Sequence, residues 1–258
     1  MIARALLGTF LLILMTATAV ADQRWQREDS VMAALDGRVP VLEGLALELP
    51  LVAEDGSSVN LAVKFTGNLE PGEHIQTVRL FAPGNPRPEV ADYSLSAHTT
   101  SVDIATRVRL SESQQVVALA ITSQDRAFIA TRDVRVTVSG CLVGTGEQAA
   151  MTMQNPRVAF AGQASKGQPL TVRTLINHPM ETGLRPDGES ADEVEQQLVE
   201  SLTATLNGEK VFSSRFYTGT SANPYVQFRI VPEQTGELQL TWQDQNGDVV
   251  ETRQPVQF

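Results

Sequence analysis

The feature that most constrains the fold of this chain is a series of short segments in which apolar and polar residues alternate. Alternation places every second side chain on the same face of an extended strand, so each segment predicts a strand with one buried face. Six segments lie in the first half, at residues 45–52, 59–65, 75–81, 101–110, 116–123 and 133–138. Six more follow at residues 156–160, 170–176, 198–212, 225–231, 236–242 and 248–258. We therefore predict an all-β protein.

Turn signals separate these predicted strands. Asn207-Gly208 and Asn246-Gly247 each stand between two strand-like runs, which is a strong hairpin signal. Asp55-Gly56 and the proline-rich residues 82–89 predict further reversals, because glycine adopts positive φ and proline has a fixed φ. Short strands at this spacing are typical of antiparallel sandwiches.

The alternation stops between Gly144 and about Met151, where small and polar residues take over. We predict two immunoglobulin-like antiparallel β-sandwich domains joined by a short flexible linker. The first domain is expected at residues 22–142, the linker at 143–152 and the second domain at 153–258. Each half has the length of a typical domain, and 42% of the residues of the chain are hydrophobic, so each half could bury its own core.

Residues 1–21 are expected to be a cleaved secretory signal. An early positive charge at Arg4 precedes an apolar run at residues 5–15, and Ala19-Val20-Ala21 forms an A-x-A cleavage pattern. The run is shorter than the roughly 20 residues that a membrane span requires, so a retained anchor is the less favoured alternative. We expect a periplasmic protein that begins near Asp22 and has no membrane attachment.

Charge and motif content exclude several classes of function. The 20 basic and 30 acidic residues give a formal net charge of −10, and no basic cluster occurs. Nucleic acid and anionic membrane are therefore poor partners. His74, His98 and His178 form no zinc motif, and neither a Cys-x-x-Cys pair nor a nucleotide-binding loop is present. We expect neither a metal nor a cofactor.

Two further residues have a preferred structural interpretation. His178, followed by Pro179 and Met180, is compatible with a ligand or a base, but a turn that packs against the first domain is favoured. Trp242 alternates with Leu238 and Leu240, which predicts a position in the sheet core.

Cys141 is the only cysteine of the chain. One interpretation is a small buried hydrophobic residue, since free cysteine is among the most buried residue types. The neighbouring Gly140, Gly144 and Gly146 favour another, a mobile and accessible segment. An exposed thiol in an oxidising compartment is soon capped or paired unless its chemistry is in use. Cys141 is therefore a candidate site of covalent substrate attachment, with a dimer linked through Cys141 left open.

Three functions are compatible with such a thiol. A cysteine-dependent enzyme needs a histidine within hydrogen-bond reach, which the spacing does not predict. A carrier needs only a nucleophilic sulfur on a flexible segment and partner enzymes that supply the catalytic groups. A non-catalytic scaffold, with Cys141 incidental, is the third possibility. We favour the carrier, which is not itself an enzyme.

Several stretches resemble a known family. "VRLFAPGNPRPEVADYSLSAH" (78–98), "IATRVRL" (104–110) and "VRVTVSGC" (134–141) are similar to SoxY, the sulfur-carrier subunit of periplasmic thiosulfate oxidation. "VRTLINHPMETGLRPDG" (172–188), "SANPYVQFRI" (221–230) and "GELQLTWQDQNGDV" (236–249) are similar to its partner SoxZ. The chain thus resembles a SoxYZ fusion, with a SoxY-like first domain and a SoxZ-like second domain.

The resemblance implies a mechanism in which Cys141 carries the substrate between enzymes. In the family, a haem c cytochrome couples thiosulfate to the carrier cysteine, a hydrolase releases sulfate, and a sulfane dehydrogenase oxidises the remaining sulfur. The family arm ends in Gly-Gly-Cys-Gly-Gly, whereas Leu142 and Val143 follow the cysteine here and the chain continues. Fused carriers of this kind also resemble proteins associated with quinoprotein dehydrogenases, so an accessory role for such an enzyme is the alternative.

Overall fold

The computed structural model describes residues 23–97, 99, 101–140, 152–184 and 195–258. The helical elements among them are a 3₁₀ helix at Arg24–Arg27 and a short helix, α1, at Asp29–Leu35. The strands of the first half are β1 (Leu45–Glu48), β2 (Val52–Asp55), β3 (Val59–Phe65), β4 (Ile75–Phe81), β5 (Glu89–Leu95), β6 (Asp103–Val108), β7 (Gln114–Thr122) and β8 (Ala127–Val138). Those of the second half are β9 (Gln154–Ala161), β10 (Leu170–Asn177), β11 (Val199–Leu206), β12 (Glu209–Phe216), β13 (Tyr225–Ile230), β14 (Gly236–Asp244) and β15 (Val249–Val256).

The strands arise where the sequence alternates, and the predicted all-β class is confirmed. Buried and partly exposed residues alternate strictly along β6 and β13, as expected for one face on the core. Strand β5 was not predicted, because Val90 and Ala91 are both buried and interrupt the alternation. The register between β4 and β5 shifts between Leu80 and Phe81, and such an irregularity changes which residues share a face.

The strands form two sheets. The order is β1-β3-β6-β13-β10-β9 in the six-stranded sheet and β15-β14-β11-β12-β5-β4-β7-β8-β2 in the nine-stranded sheet. The β2–β8 pair is parallel, with Val52 opposite Arg135, and so differs from the antiparallel expectation. The chain leaves β1 in one sheet and joins the edge of β8 in the other, running in the same direction as β8.

Both sheets continue across the two halves of the chain. In the six-stranded sheet, β6 pairs with β13, with Thr106 opposite Val226. In the nine-stranded sheet, β5 pairs with β12 from Ala91 opposite Phe216 to Leu95 opposite Phe212. Strand pairing therefore joins the halves in addition to the chain itself. Residues 143–151 of the predicted linker lie outside the described residues.

The space between the sheets is filled by one large apolar core to which both halves contribute. The ring of Phe212 stacks on that of Phe228 at a centroid distance of 4.1 Å, and Tyr93 of the first half lies 5.9 Å from Phe212. Trp242 is fully buried 5.8 Å from Phe216, which confirms its predicted core position. Buried aromatic contacts of this kind stabilise the seam between the halves.

A smaller apolar cluster covers the outer face of the nine-stranded sheet. Trp25 and residues of α1, including Val31 and Leu35, pack there against Val117 and Leu119 of β7. Strand β7 is therefore buried on both faces, which explains its long run of apolar residues. Among the described residues, no helix is long and apolar enough to cross a membrane.

The local turns follow the sequence signals. Asn207 and Gly208 have φ values of 53° and 85°, and Leu206 pairs with Glu209, so the two-residue hairpin is confirmed. Gly247 has a φ of 86° in the loop between β14 and β15. Both turns depend on residues that tolerate positive φ.

A charged residue is buried two residues before β4 begins. The side chain of Glu73 is fully buried, and its Oε2 accepts hydrogen bonds from Arg126 Nη1 at 2.7 Å and the Glu70 amide at 2.8 Å. Burial alone raises the pKa of Glu73, but hydrogen bonds from Thr122, Glu70 and Arg126 outweigh it and lower that pKa below its ordinary value. Glu73 thus remains charged inside the fold.

Candidate functional site

The described part of the candidate site is the point where the chain leaves β8. Cys141, Gly144 and Gly146 lie outside the described residues, so the predictions made for them remain predictions. Gly140 is the residue directly before Cys141 and is described. The surroundings of Gly140 therefore define how the predicted carrier segment begins.

Gly140 is buried and held by its backbone. Its amide donates a hydrogen bond to the carbonyl of Leu110 at 2.9 Å. The Leu110 amide in turn donates to the Gly56 carbonyl at 2.8 Å, and the Gly56 amide donates to the Val138 carbonyl at 2.8 Å. These three hydrogen bonds interlock the end of β8, the turn after β2 and the segment after β6. We call this arrangement the Gly140 seat.

The two glycines of the seat are in direct contact. A Cβ atom on Gly140 would lie 2.2 Å from the Gly56 carbonyl oxygen, and one on Gly56 would lie 2.2 Å from the Leu110 carbonyl oxygen. Neither glycine has a φ in the left-handed region, so close packing is what requires them. One expectation is corrected, because Gly56 does not supply a positive φ to its turn. Gly140 is closely packed where the chain leaves β8, and its contribution to flexibility of the arm stays a prediction.

The turn after β2 has its own brace. The Asp55 carboxylate accepts hydrogen bonds from the Ser57 amide at 2.7 Å and the Ser57 hydroxyl at 2.8 Å. These bonds hold the pKa of Asp55 below its ordinary value, and the bond from the Ser57 amide contributes most. A side chain that bonds the backbone two residues later fixes the turn, so Gly56 is presented to the seat in one conformation.

The second half of the chain contacts two of the three segments of the seat. Arg109, which is buried, donates from Nη1 to the Met180 carbonyl at 3.2 Å, and its amide donates to the Gly219 carbonyl at 2.7 Å. The Ser221 hydroxyl donates to the Ser57 carbonyl at 2.9 Å. The seat therefore lies at the boundary between the halves.

The favoured interpretation of His178 is confirmed. Its side chain is buried, and Nδ1 accepts a hydrogen bond from the Met180 amide at 3.1 Å. The Asn223 amide donates to the His178 carbonyl at 2.7 Å, which links this turn to the loop before β13. Since Arg109 of the first half donates to Met180, the turn packs against the first half as predicted.

A loop of the first half also holds the segment after β6. Asn85 Nδ2 donates to the Arg109 carbonyl at 2.8 Å, and Asn85 Oδ1 accepts from the Ser111 amide at 2.8 Å. The backbone carbonyls and amides around Leu110 are thus satisfied from several directions, as buried backbone requires.

Sequence reasoning missed Gly56, Arg109 and Ser221 as parts of this site. Each belongs to a different segment, and local pattern does not reveal which distant segments meet. The only available signal was indirect, because the stretches at residues 104–110 and 221–230 carry family resemblance. No three His, Cys, Asp or Glu residues lie close enough together to hold a metal ion in the part of the chain that the structure describes.

Two solved structures are similar in part. The sulfur carrier protein SoxY from Chlorobium limicola f thiosulfatophilum is 18% identical, with 43% of this chain and 92% of that chain covered and a TM-score of 0.37. A putative superoxide reductase from Thermotoga maritima is 20% identical, with 36% and 84% covered and a TM-score of 0.32. Scores this low carry no weight for function, and no protein of curated function matches significantly.

The family models are more informative. The model of the sulfur oxidation protein SoxY matches residues 32–141, and that of the sulphur oxidation protein SoxZ matches residues 158–255. Together the two matches span most of the chain, in the order predicted from the sequence, and the SoxY match ends at Cys141. The chain therefore belongs to the SoxY and SoxZ families of sulfur oxidation, as a fusion of a SoxY half and a SoxZ half.

Proposed function

We propose that this protein is a periplasmic carrier that holds sulfur intermediates covalently on Cys141 and presents them to partner enzymes of the Sox type. The observation that carries the proposal is the SoxY match, which extends through the only cysteine of the chain. The Gly140 seat supports it, because the chain is firmly held up to the residue before the thiol. The protein is then a substrate of its partners and not an enzyme.

The proposed loading step joins the Cys141 thiolate to thiosulfate. A thiolate and one thiosulfate dianion form a cysteine S-thiosulfonate with a single negative charge and release two electrons, which pass to a haem c cytochrome. One water then cleaves the bond between the sulfane and sulfonate sulfurs. This hydrolysis releases sulfate and two protons and leaves a persulfide anion on Cys141.

The proposed unloading step regenerates the thiolate. A sulfane dehydrogenase oxidises the terminal sulfur of the persulfide with three waters, which gives a second sulfonate, six protons and six electrons for its own acceptor. Hydrolysis by one further water releases the second sulfate with two protons and restores the Cys141 thiolate. Every catalytic group belongs to the partners, so the carrier supplies only the sulfur and its presentation.

The periplasmic location is part of the proposal. The predicted signal at residues 1–21 supports export, with a mature chain beginning near Asp22. A single thiol in an oxidising compartment is consistent with continuous use, since an idle exposed thiol is soon capped.

The test is a comparison of wild type with Cys141→Ser. We expect wild type incubated with thiosulfate, cytochrome and an electron acceptor to gain a reducible thiosulfonate adduct by intact mass spectrometry, mapped to Cys141. Cys141→Ser should gain none and should abolish partner-dependent oxidation, while its urea midpoint stays unchanged. Thr137→Ser, at an exposed position of β8, is the matched control and should behave as wild type.

Two outcomes contradict the proposal. Full partner-dependent oxidation by Cys141→Ser would show that the thiol carries nothing, which is the result expected of a scaffold. A large loss of stability in Cys141→Ser would instead show that the thiol is a core residue.

A further inference from the structure

We propose that the second half of the chain sets the position from which Cys141 is presented, with Ser221 and Arg109 as positioning residues. The inference deepens the proposed carrier function and rests on it. Both residues act through the Gly140 seat, because each bonds a different segment of that seat. The SoxZ half then has a direct role in presentation.

The first link runs through Ser221. This residue is 1% exposed, and its hydroxyl donates to the carbonyl of Ser57 at 2.9 Å, next to Gly56. Its amide also donates to the Arg107 carbonyl at 3.2 Å, so both the side chain and the backbone of Ser221 bond to the first half. Ser221 therefore holds the turn whose carbonyl atoms lie against Gly140.

The second link runs through Arg109. Its side chain reaches the Met180 carbonyl, and its amide bonds the Gly219 carbonyl, both in the second half. The next residue, Leu110, accepts the hydrogen bond from the Gly140 amide. Arg109 therefore fixes the acceptor that holds Gly140.

The glycine contact transmits both constraints to Gly140. Because no side-chain atom fits between Gly56 and Gly140, movement of the turn after β2 displaces the end of β8, and the reverse. Since Cys141 is bonded directly to Gly140, and adjacent Cα atoms are about 3.8 Å apart, the thiol is attached close to a fixed point. A fixed attachment reduces the conformational entropy that is lost when a partner takes up the cysteine.

The fusion of the two halves fits this role. Two separate subunits would lose the hydrogen bonds from the second half to the seat whenever they part, whereas a continuous chain keeps the second half at a high effective concentration. Presentation of Cys141 then does not depend on protein concentration.

The experiment measures the seat directly. Amide hydrogen exchange of Gly140 is followed by NMR in wild type, Ser221→Ala and Arg109→Lys. Thr174→Val is the matched control, because Thr174 is also buried and its hydroxyl donates to the Arg157 carbonyl at 2.8 Å, wholly within the second half. We expect Gly140 exchange about fivefold faster in Ser221→Ala, as for the loss of one hydrogen bond, and unchanged in Thr174→Val.

Kinetics with the partner cytochrome separate positioning from general destabilisation. We expect both seat variants to raise the KM for the carrier about fivefold with kcat unchanged, and Thr174→Val to change neither. Unchanged Gly140 exchange in both seat variants, or equal acceleration in Thr174→Val, would overturn the inference. Failure of the carrier proposal is distinguishable, because Cys141→Ser would then stay active while the effects of the seat variants on Gly140 exchange remain.

Discussion

Gly56→Ala tests directly whether close packing at the Gly140 seat requires a glycine. The added Cβ would lie 2.2 Å from the Leu110 carbonyl oxygen and 2.7 Å from the Gly140 nitrogen, both backbone atoms that cannot rotate away. Relief of that contact separates the segments joined by the three hydrogen bonds of the seat. Separation costs about 3 kcal/mol, at about 1 kcal/mol for each of the three bonds, and overpacking without separation costs about 1 to 3 kcal/mol, so we expect a loss of about 1 to 3 kcal/mol.

Urea unfolding followed by circular dichroism measures this loss, with Gly84→Ala as the control. Gly84 also lacks a left-handed φ, but the atoms nearest to its added Cβ would be side-chain atoms of Glu112 and Gln114, at 3.0 and 3.1 Å. The unfolded-state effect of replacing glycine by alanine is common to both variants, so their difference isolates the contact. We expect Gly84→Ala to lie within about 1 kcal/mol of wild type. Equal stability of the two variants would refute the argument that Gly56 is required by close packing.

Two further predictions concern the shared core and the buried charge. In a Trp25→Phe background the only remaining tryptophan is Trp242, which reports on the second half. Because the sheets are continuous, we expect Gly56→Ala to shift the urea midpoint of Trp242 fluorescence as much as the midpoint measured by circular dichroism. An unshifted fluorescence midpoint would mean that the halves unfold independently. The lowered pKa of Glu73 means that its charge stabilises the fold above the ordinary pKa of 4.5, and that this contribution is lost as the pH falls through the folded-state pKa. The stability difference between wild type and Glu73→Gln should therefore shrink in urea titrations below about pH 4.5, and a difference independent of pH would contradict this.

The continuous sheets bear on how the fusion works. Because β5 pairs with β12 and β6 with β13, the SoxZ half completes both sheets of the SoxY half. Phe212 and Phe228 of the second half stack beside Tyr93 of the first, so the seam is apolar as well as hydrogen-bonded. Separation of the halves would expose this core and one edge each of β5, β12, β6 and β13, which favours their association as one unit.

The buried polar residues at the boundary have a different role. Arg109 and Ser221 each donate a side-chain hydrogen bond to a backbone carbonyl of the opposite half. Such bonds specify the relative placement of segments, because a buried donor that loses its acceptor is costly. Placement of the end of β8 is therefore specified more tightly than an apolar seam alone would achieve.

The sequence by itself determined the features that depend on neighbouring residues. Alternation along β6 and β13 predicted strands because a buried face recurs every second residue, and Asn207-Gly208 predicted its hairpin because both residues accept positive φ. The sequence also determined that any thiol chemistry of this chain belongs to Cys141, its only cysteine.

The tertiary structure decided what depends on distant segments. Gly56 reads as an ordinary turn residue and Gly140 as a flexible one, yet the two are packed closely against each other. The pairing of β5 with β12 and the link from Arg109 to Met180 join positions far apart in the chain. No local pattern encodes such a meeting, because side-chain periodicity shows which face of a strand is buried and not which strand lies beside it.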